Sequence, residues 1–257
     1  MNNKFLTISS PLDQFEIRDY IIIDAPILAN IHISLTNITL YLFISLIIII
    51  SLLGITNKFP KFINKNWILF KECIYDTVNN VVVNQIEKNK GQLYFPFIFS
   101  LFIFILINNL IGLIPYSFST TSHFILAFSW SFSIVIGTVI LGISIHKLKF
   151  LGLFVPAGCP LPMLPFLVLI ETISFLARNI SLGLRLAANI LAGHMLLFIL
   201  SGFTFKIFKA GILGILGILP LTFIIAFSFL EFGIAFIQAQ VFIVLSAGYI
   251  KDSIFLH

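Results

Sequence analysis

The chain has 257 residues, of which 59% are hydrophobic and only 10% are charged, whereas about a quarter of the residues in a soluble domain are charged. This composition excludes an ordinary soluble protein and predicts an all-α polytopic membrane protein, with residues 1–257 forming a single membrane domain. The net charge of +5 comes from lysines clustered in loops, so we expect the lipid bilayer and other subunits, and no nucleic acid, as partners. Cys73 and Cys159 lack any metal-ligand spacing, so neither a metal site nor a disulfide is expected.

Residues 1–37 form an N-terminal arm, and its first part, "MNNKFLTISSPLDQFEIRDY", is polar and lacks the basic-then-apolar order of a signal peptide. The arm is interpreted either as a short propeptide or as an ordered surface segment. Residues 38–163 are expected to hold peripheral helices, the first of them a crossing over Ile38 to Ile55, "ITLYLFISLIIIISLLGI". Its length is close to the roughly 20 residues that a bilayer requires.

The polar stretch 56–91 contains apolar residues that recur at steps of three and four, which predicts an amphipathic helix. These residues are Trp67, Phe70, Ile74, Val78 and Val81. Two placements remain open for this helix. It lies flat in the membrane interface, or it packs against the protein outside the membrane.

The second crossing is predicted from Phe95 to Ile114 and the third from Phe124 to Ile145. Pro115 and the following Ser/Thr cluster mark the turn between them. After the third crossing come "HKLKF" and "VPAGCPLPMLP", and the four prolines of the latter exclude a helix there.

Two apolar segments in residues 164–257 are too long for a simple crossing. The first, Leu164 to Ser201, would span about 57 Å as a helix, nearly twice the ~30 Å hydrocarbon core. Because no proline follows Pro165 within it, strong tilt is favoured over a break. The second runs from Ile212 to Tyr249 and contains Pro220, which is expected to kink it. A tilted helical hairpin joined by "GFTFKIFKAG" is predicted.

Lysine counts give an orientation. The 56–91 loop holds six lysines and the 146–150 loop two more, and both loops lie on one side if the crossings alternate. The positive-inside rule makes that side the matrix or cytoplasm. The N-terminus is then on the opposite side, and the C-terminus is inside.

Charged residues within the long segments are candidate functional residues, because each costs about 2.5–3.5 kcal/mol at mid-helix. Glu171, Arg178 and Arg185 are seven residues apart on the first long helix, and so share one stripe. Ser181 and Asn189 lie four residues either side of Arg185 on that stripe. His194 is nine residues from Arg185 and faces away from it. Glu231 and Gln238, seven apart, share a face of the second long helix.

This arrangement places titratable groups at different depths on either side of a fixed cation. Histidine and carboxylates exchange protons, whereas arginine stays charged. The pattern indicates two proton half-paths separated by an electrostatic barrier. The alternatives are that Arg185 forms a buried pair with Glu171 or Glu231, that His194 makes a helix-bridging hydrogen bond, and that Arg178 is structural. Small residues near Arg185 would admit either another chain or the second long helix: Gly183, Ala187, Ala188, Ala192 and Gly193.

The motifs "SLGLRLAANILAGH" and "LEFGIAFIQAQVFIVL" resemble the a-subunit family of F-type ATP synthases. The likeness extends along nearly the whole chain and is closest to the mitochondrial form, particularly that of plants and protists. It implies that Arg185 faces the carboxylates of a rotating ring, and that Glu231 and His194 form the half-channel open to the intermembrane space. By the same resemblance, Asn189 and Gln238 are polar positions near the arginine. Glu171 and Ser181 belong to the matrix half-channel, and Asn109 lines the entry side.

The resemblance further implies a non-catalytic stator subunit of the mitochondrial inner membrane, with no cofactor. Its partners would be a ring of small hydrophobic hairpin subunits, the peripheral stalk and other membrane subunits. The family usually carries Phe where this chain has Ala187, and an aromatic residue where it has Gln240. Two rivals are a secondary transporter, for which the sequence shows no inverted repeat, and a purely structural subunit.

Overall fold

The computed structural model describes residues 12–25, 31–58, 65–114, 117–155, 163–209 and 217–255. Within these residues the chain forms six α-helices and one short β-hairpin. Five helices are long and apolar enough to cross a membrane. The prediction of an all-α polytopic membrane protein with about five crossings is therefore confirmed.

The hairpin in the N-terminal arm was not predicted. Strand β1 (Asp19–Ala25) pairs with β2 (Ile31–Thr36) in antiparallel register, with Ile23 opposite Ile33. A run of isoleucines favours strand because β-branched side chains suit the pleated backbone. Of the two interpretations of the arm, the ordered segment holds for residues 12–25 and 31–37, and residues 1–11 lie outside the described part.

Helix α1 (Asn37–Lys58) matches the first predicted crossing. Helix α2 (Lys65–Ile86) is the predicted amphipathic helix. Its second half packs against α3 and α6 through Val78, Val82 and Ile86, which are buried. Its first half leaves three apolar side chains exposed, Ile68, Leu69 and Phe70. The packed interpretation thus describes the second half, interfacial placement of the first half stays a prediction, and the side chain of Trp67 is outside the described set.

Helix α3 (Lys88–Gly112) begins seven residues before the predicted start, so the end of the expected loop is helical. It follows α2 directly after Glu87, whose φ of 80° is unfavourable for a residue with a side chain. Helix α4 (Phe124–His146) matches the third crossing and follows a 3-10 turn, Thr120–Ser122. Residues 156–162, which hold three of the four prolines and Cys159, are outside the described part.

The two long segments form helices α5 (Leu164–Lys209) and α6 (Ile218–Ile254), which pack against each other. Helix α5 is continuous over 46 residues, about 69 Å at 1.5 Å per residue, so the prediction that it does not break is confirmed. It extends beyond Ser201, and most of the expected connection "GFTFKIFKAG" is helical, which corrects the sequence boundary. The expected kink at Pro220 was wrong, because Pro220 lies in the first turn of α6, where no intrahelical N–H bond is lost.

The core lies where α3 and α6 meet, with α2, α4 and α5 around them. Its largest fully buried side chains include Ile98, Phe102, Leu182 and Phe242. Many apolar side chains face outward instead, such as Ile125 (86% exposed) and Phe229 (75% exposed). Outward apolar surface of this kind suits a helix bundle in lipid or in contact with other subunits.

Candidate functional site

The predicted polar stripe of α5 lies on the outside of the bundle. Its five side chains are exposed in the structure: Glu171, Arg178, Ser181, Arg185 and Asn189. The neighbouring face of α5 is buried through Leu182, Leu186 and Ile190. Packing by this apolar face turns the charges outward, which is the orientation that an amphipathic helix adopts.

Arg185 makes no hydrogen bond or ion pair with any part of the chain that the structure describes. The alternative of a buried pair with Glu171 or Glu231 is therefore not found there. An exposed ion pair joins Arg18 to Glu16 in the N-terminal arm, far from Arg185 in the sequence. A permanent cation in a membrane-spanning helix is costly unless it is paired or hydrated, and within the described residues Arg185 has no partner.

The structure brings His194 and Glu231 together. Both line a cleft of about 230 Å³ between α5 and α6, and Asn189 lines it as well. The Glu231 side chain is 9% exposed. It contacts Gly193 so closely that a Cβ at that position would overlap the Glu231 carboxylate. The absent side chain of Gly193 is therefore what makes room for the carboxylate beside His194.

His194 is half-buried on α5, whereas the sequence predicted only that it faces away from Arg185. Its Nε2 has no hydrogen-bond partner within the described residues, so the alternative of a helix-bridging hydrogen bond is not found there. The imidazole ring instead contacts Phe15 edge-on, with ring centroids 6.2 Å apart. A buried ring nitrogen without a protein partner is open to water or to a transferred proton.

Asn189 and Gln238 form a direct link between the two long helices. Asn189 Nδ2 donates a hydrogen bond to Gln238 Oε1 at 3.2 Å, and Gln238 is only 3% exposed. Gln238 and Glu231 are both buried on one face of α6, as their spacing predicted. The link lies one helical turn from Arg185 and also borders the His194–Glu231 cleft.

Asn109 lies at the centre of the bundle and is fully buried. Its Nδ2 donates to the backbone carbonyl of Ala235 at 3.4 Å, one turn from Glu231 on α6. Its Oδ1 has no partner in the described chain. Asn109 is thus near the Glu231 group but does not line the cleft itself.

A second cleft, of about 370 Å³, lies further towards the N-terminal end of α5. It is lined by Arg178, Ser181, Arg185 and Gln240 among others. Glu171 does not line it, and lies about 15 Å from Ser181 along the helix axis. The structure therefore groups Ser181 with the arginines and leaves Glu171 apart from both.

The small residues serve different contacts. Gly183 packs against α4, where an added Cβ would be 3.0 Å from the Phe128 ring and 3.3 Å from the Ala127 carbonyl oxygen. For Gly183 the contact is thus with α4, which is neither of the two partners that the sequence left open for the small residues. Ala188 and Ala192 are exposed beside the stripe and leave it accessible to another chain.

The two residues that depart from the family pattern, Ala187 and Gln240, lie in different surroundings. Ala187 is fully buried in the internal core, so this departure concerns packing inside the chain. Of the alternatives left open for the small residues, contact with another chain therefore does not apply to Ala187. Gln240 lines the cleft that contains Arg185.

Several polar contacts were not singled out in the sequence. The Ser131 hydroxyl on α4 is 2.8 Å from the Asn179 carbonyl oxygen and also contacts Asn179 Oδ1. The Thr120 hydroxyl donates to Asn108 Oδ1 at 3.2 Å. The signal was available, since Asn179 and Asn108 are uncharged polar residues inside apolar helices, which require partners. What the sequence did not show is which residue each one meets.

No group of three or more His, Cys, Asp or Glu residues that could hold a metal ion occurs in the described ranges. Cys73 is exposed and free. The arrangement around α5 and α6 thus consists of proton-exchanging and hydrogen-bonding groups on either side of an unpaired arginine. Such an arrangement can carry protons or water.

Comparison with known proteins gives a consistent result. A family model described as the ATP synthase A chain matches residues 38–251. The chain is 59% identical to the ATP synthase subunit a of Podospora anserina, covering 100% of both chains. It is 62% identical to that of Emericella nidulans, covering 99% of each. It is 59% identical to that of Neurospora crassa, covering 100% of this chain and 98% of the relative. These three relatives are fungal, whereas the sequence motifs had resembled the plant and protist forms in particular.

Proposed function

The chain belongs to the ATP synthase A chain family and is a proton-translocating subunit of the membrane sector, and from this premise we propose that it carries protons through two offset half-channels separated by Arg185. The outer half-channel uses the cleft shared by His194 and Glu231. The inner one uses the cleft that contains Ser181 and continues along the exposed face of α5 towards Glu171. The observation that carries the proposal is the position of Arg185, which is exposed, has no counter-ion in the described chain, and lines the inner cleft one helical turn from Asn189 in the outer cleft.

The proposed partner is a ring of small hydrophobic hairpin subunits that bear carboxylates. A ring carboxylate opposite Arg185 would be held ionised, because a nearby cation favours the charged form. After protonation from Glu231 and His194 the carboxylate is neutral, so it can face lipid at low cost. Ala188 and Ala192 support this contact, because small exposed residues beside the stripe allow a neighbouring helix to approach closely.

In this proposal, the polar side chains near the two clefts each have a role in proton transfer. Asn189 and Gln238, hydrogen-bonded to each other, link the outer cleft to the arginine. Asn109, with a free carbonyl oxygen near Ala235, provides an acceptor for water on the entry side. Arg185 prevents direct proton passage between the half-channels, since a fixed cation repels a proton and does not itself release one.

Proton flow would then drive ring rotation and ATP synthesis elsewhere in the complex. One proton crossing about 150 mV releases about 3.5 kcal/mol, so several protons are needed for each ATP. This chain would contribute no nucleotide chemistry and no cofactor. The proposed setting is the mitochondrial inner membrane, with the N-terminal arm (1–37) in the intermembrane space and the C-terminus in the matrix. Peripheral helices (38–163) would hold the tilted hairpin (164–257) against the ring, with the peripheral stalk as a further partner.

The deciding experiment replaces Arg185 by alanine in the assembled complex in vesicles, and measures ATP-driven proton pumping and passive proton leak. We expect pumping to be lost and leak to rise. Lys206→Ala is the matched control, because Lys206 is an exposed cation on the same helix that lines neither cleft. Persistent pumping in Arg185→Ala would refute the half-channel proposal and support a purely structural subunit.

A further inference from the structure

The chain segment before β1 contacts His194, a residue that lines the outer cleft. Asp13–Phe15 forms a single 3-10 turn, and Phe15 is the only residue in 12–18 that is not exposed. Its ring meets the His194 imidazole edge-on, at an interplanar angle of 75°. An aromatic pair in this geometry is attractive and directional, because the positive ring edge faces the negative ring face.

The segment is fastened to the start of α1 by one buried side chain. Asn37 Nδ2 donates to the Glu16 carbonyl at 3.0 Å, and Asn37 Oδ1 accepts from the Arg18 N–H at 3.4 Å. The Asn37 N–H donates in turn to the Arg18 carbonyl at 3.1 Å. Asn37 is 6% exposed, so breaking these bonds would leave buried polar groups unpaired. The position of Phe15 is therefore set by the membrane-spanning part of the chain.

The imidazole of His194 has little else to orient it. Its Nε2 lies near Gly112, at 4.0 Å from where a Cβ would be, and has no hydrogen-bond partner in the described chain. The titratable groups around it are Glu231 from α6, which shares its cleft, and Asp13 and Glu16, which are exposed on the N-terminal segment. One more titratable group, His123, directly follows the Thr120–Ser122 turn, and this turn packs on the helix that carries His194, α5.

We propose that Phe15 is a positioning residue for the outer proton path, and that the N-terminal segment 12–18, held by Asn37, covers His194. In this arrangement Phe15 turns the imidazole towards the cleft that it shares with Glu231 and shields the ring from bulk water. Protons then reach His194 through the cleft and not directly from solution. The inference rests on the proposed function of His194 and Glu231.

The test uses the assembled complex in vesicles and three variants: Phe15→Ala, Phe15→Trp, which keeps an aromatic ring, and Gln14→Ala, an exposed neighbour in the same turn. Two quantities are measured. The first is the rate at which diethyl pyrocarbonate modifies His194, followed by mass spectrometry. The second is the dependence of proton pumping on pH at the outer side.

For Phe15→Ala we expect His194 to be modified about 2- to 10-fold faster, the range that one aromatic contact supports, and the pH profile of pumping to shift. Phe15→Trp and Gln14→Ala should behave as the wild type. If Phe15→Ala does not assemble, Asn37→Ala releases the same segment and should give the same two changes.

Unchanged modification and an unchanged pH profile in Phe15→Ala would overturn the positioning role. The proposed function is tested separately by His194→Ala. If His194→Ala pumps normally, the outer path through His194 is wrong. The modification rate of His194 in the Phe15 variants would still show whether the segment covers the ring.

Discussion

The Glu231 carboxylate fills the space that a side chain at Gly193 would need, since a Cβ at Gly193 would overlap that carboxylate. The two residues are on different helices, α5 and α6. The contact places an ionisable side chain beside His194 in a cleft that is otherwise mostly apolar. A glycine in the middle of a helix costs about 1 kcal/mol relative to alanine, so its presence here reflects the space that the carboxylate needs.

Replacing Gly193 by alanine should therefore displace the Glu231 carboxylate and reduce proton pumping at least several-fold, while stability changes little because the displaced atoms are the end of a flexible side chain. Pumping and thermal stability of the complex would be measured together. Gly202→Ala is the matched control, because Gly202 is on the same helix with nothing within 4 Å of an added Cβ. Equal effects at the two positions would show that the contact of Gly193 with Glu231 is not the cause.

The Asn189–Gln238 hydrogen bond should contribute a modest coupling. A double-mutant cycle with Asn189→Ala and Gln238→Leu should give a coupling free energy of about 0.6 kcal/mol, the average for hydrogen bonds between membrane helices. Thermal unfolding of the four complexes provides the measurement. We expect proton pumping to fall in both single variants, because each removes a polar group from the proposed link. Additive stabilities would show that the two side chains do not interact.

The Ser131–Asn179 contact should stabilise the packing of α4 on α5. Ser131→Ala leaves a buried Asn179 oxygen without a partner, which costs about 1–3 kcal/mol, and should lower the thermal midpoint. Ser133→Ala is the comparison, because the exposed Ser133 hydroxyl bonds only to the Trp130 carbonyl of its own helix. A midpoint as high in Ser131→Ala as in Ser133→Ala would rule out a stabilising role.

His123 should make the stability of the chain depend on pH. The residue precedes α4, its ring stacks on Phe118 with centroids 5.2 Å apart, and burial lowers the pKa of its imidazole below the usual 6.5. As pH falls through the usual pKa of 6.5, the unfolded state takes up a proton that the folded state does not, so the free energy of unfolding decreases.

His123→Gln removes this titration, so the variant should lose less stability than the wild type between about pH 7 and about pH 5.5. Thermal midpoints of both complexes at the two pH values provide the measurement. Parallel losses in the two proteins would mean that other groups account for the acid sensitivity.

The sequence by itself determined the crossings and the chemistry of the candidate residues. Apolar runs of about 20 residues have one stable solution in a bilayer, a helix, because every backbone polar group has to be satisfied internally. For that reason α1 and α4 matched their predicted ranges closely. The stripe on α5 also followed from sequence, because helical periodicity alone places Arg185 and Asn189 on one face.

Only the tertiary structure decided which helices pack together and where a helix ends when the adjoining sequence is polar. Local periodicity does not distinguish α4 from α6 as the partner of Gly183, since both offer apolar faces and the choice depends on the packing of the whole bundle. The same holds for the fit of Gly193 to Glu231 and of Phe15 to His194, which join residues far apart in the chain. The residues of the candidate site were predictable because a charge in an apolar helix is costly wherever it lies, whereas their neighbours depend on long-range packing.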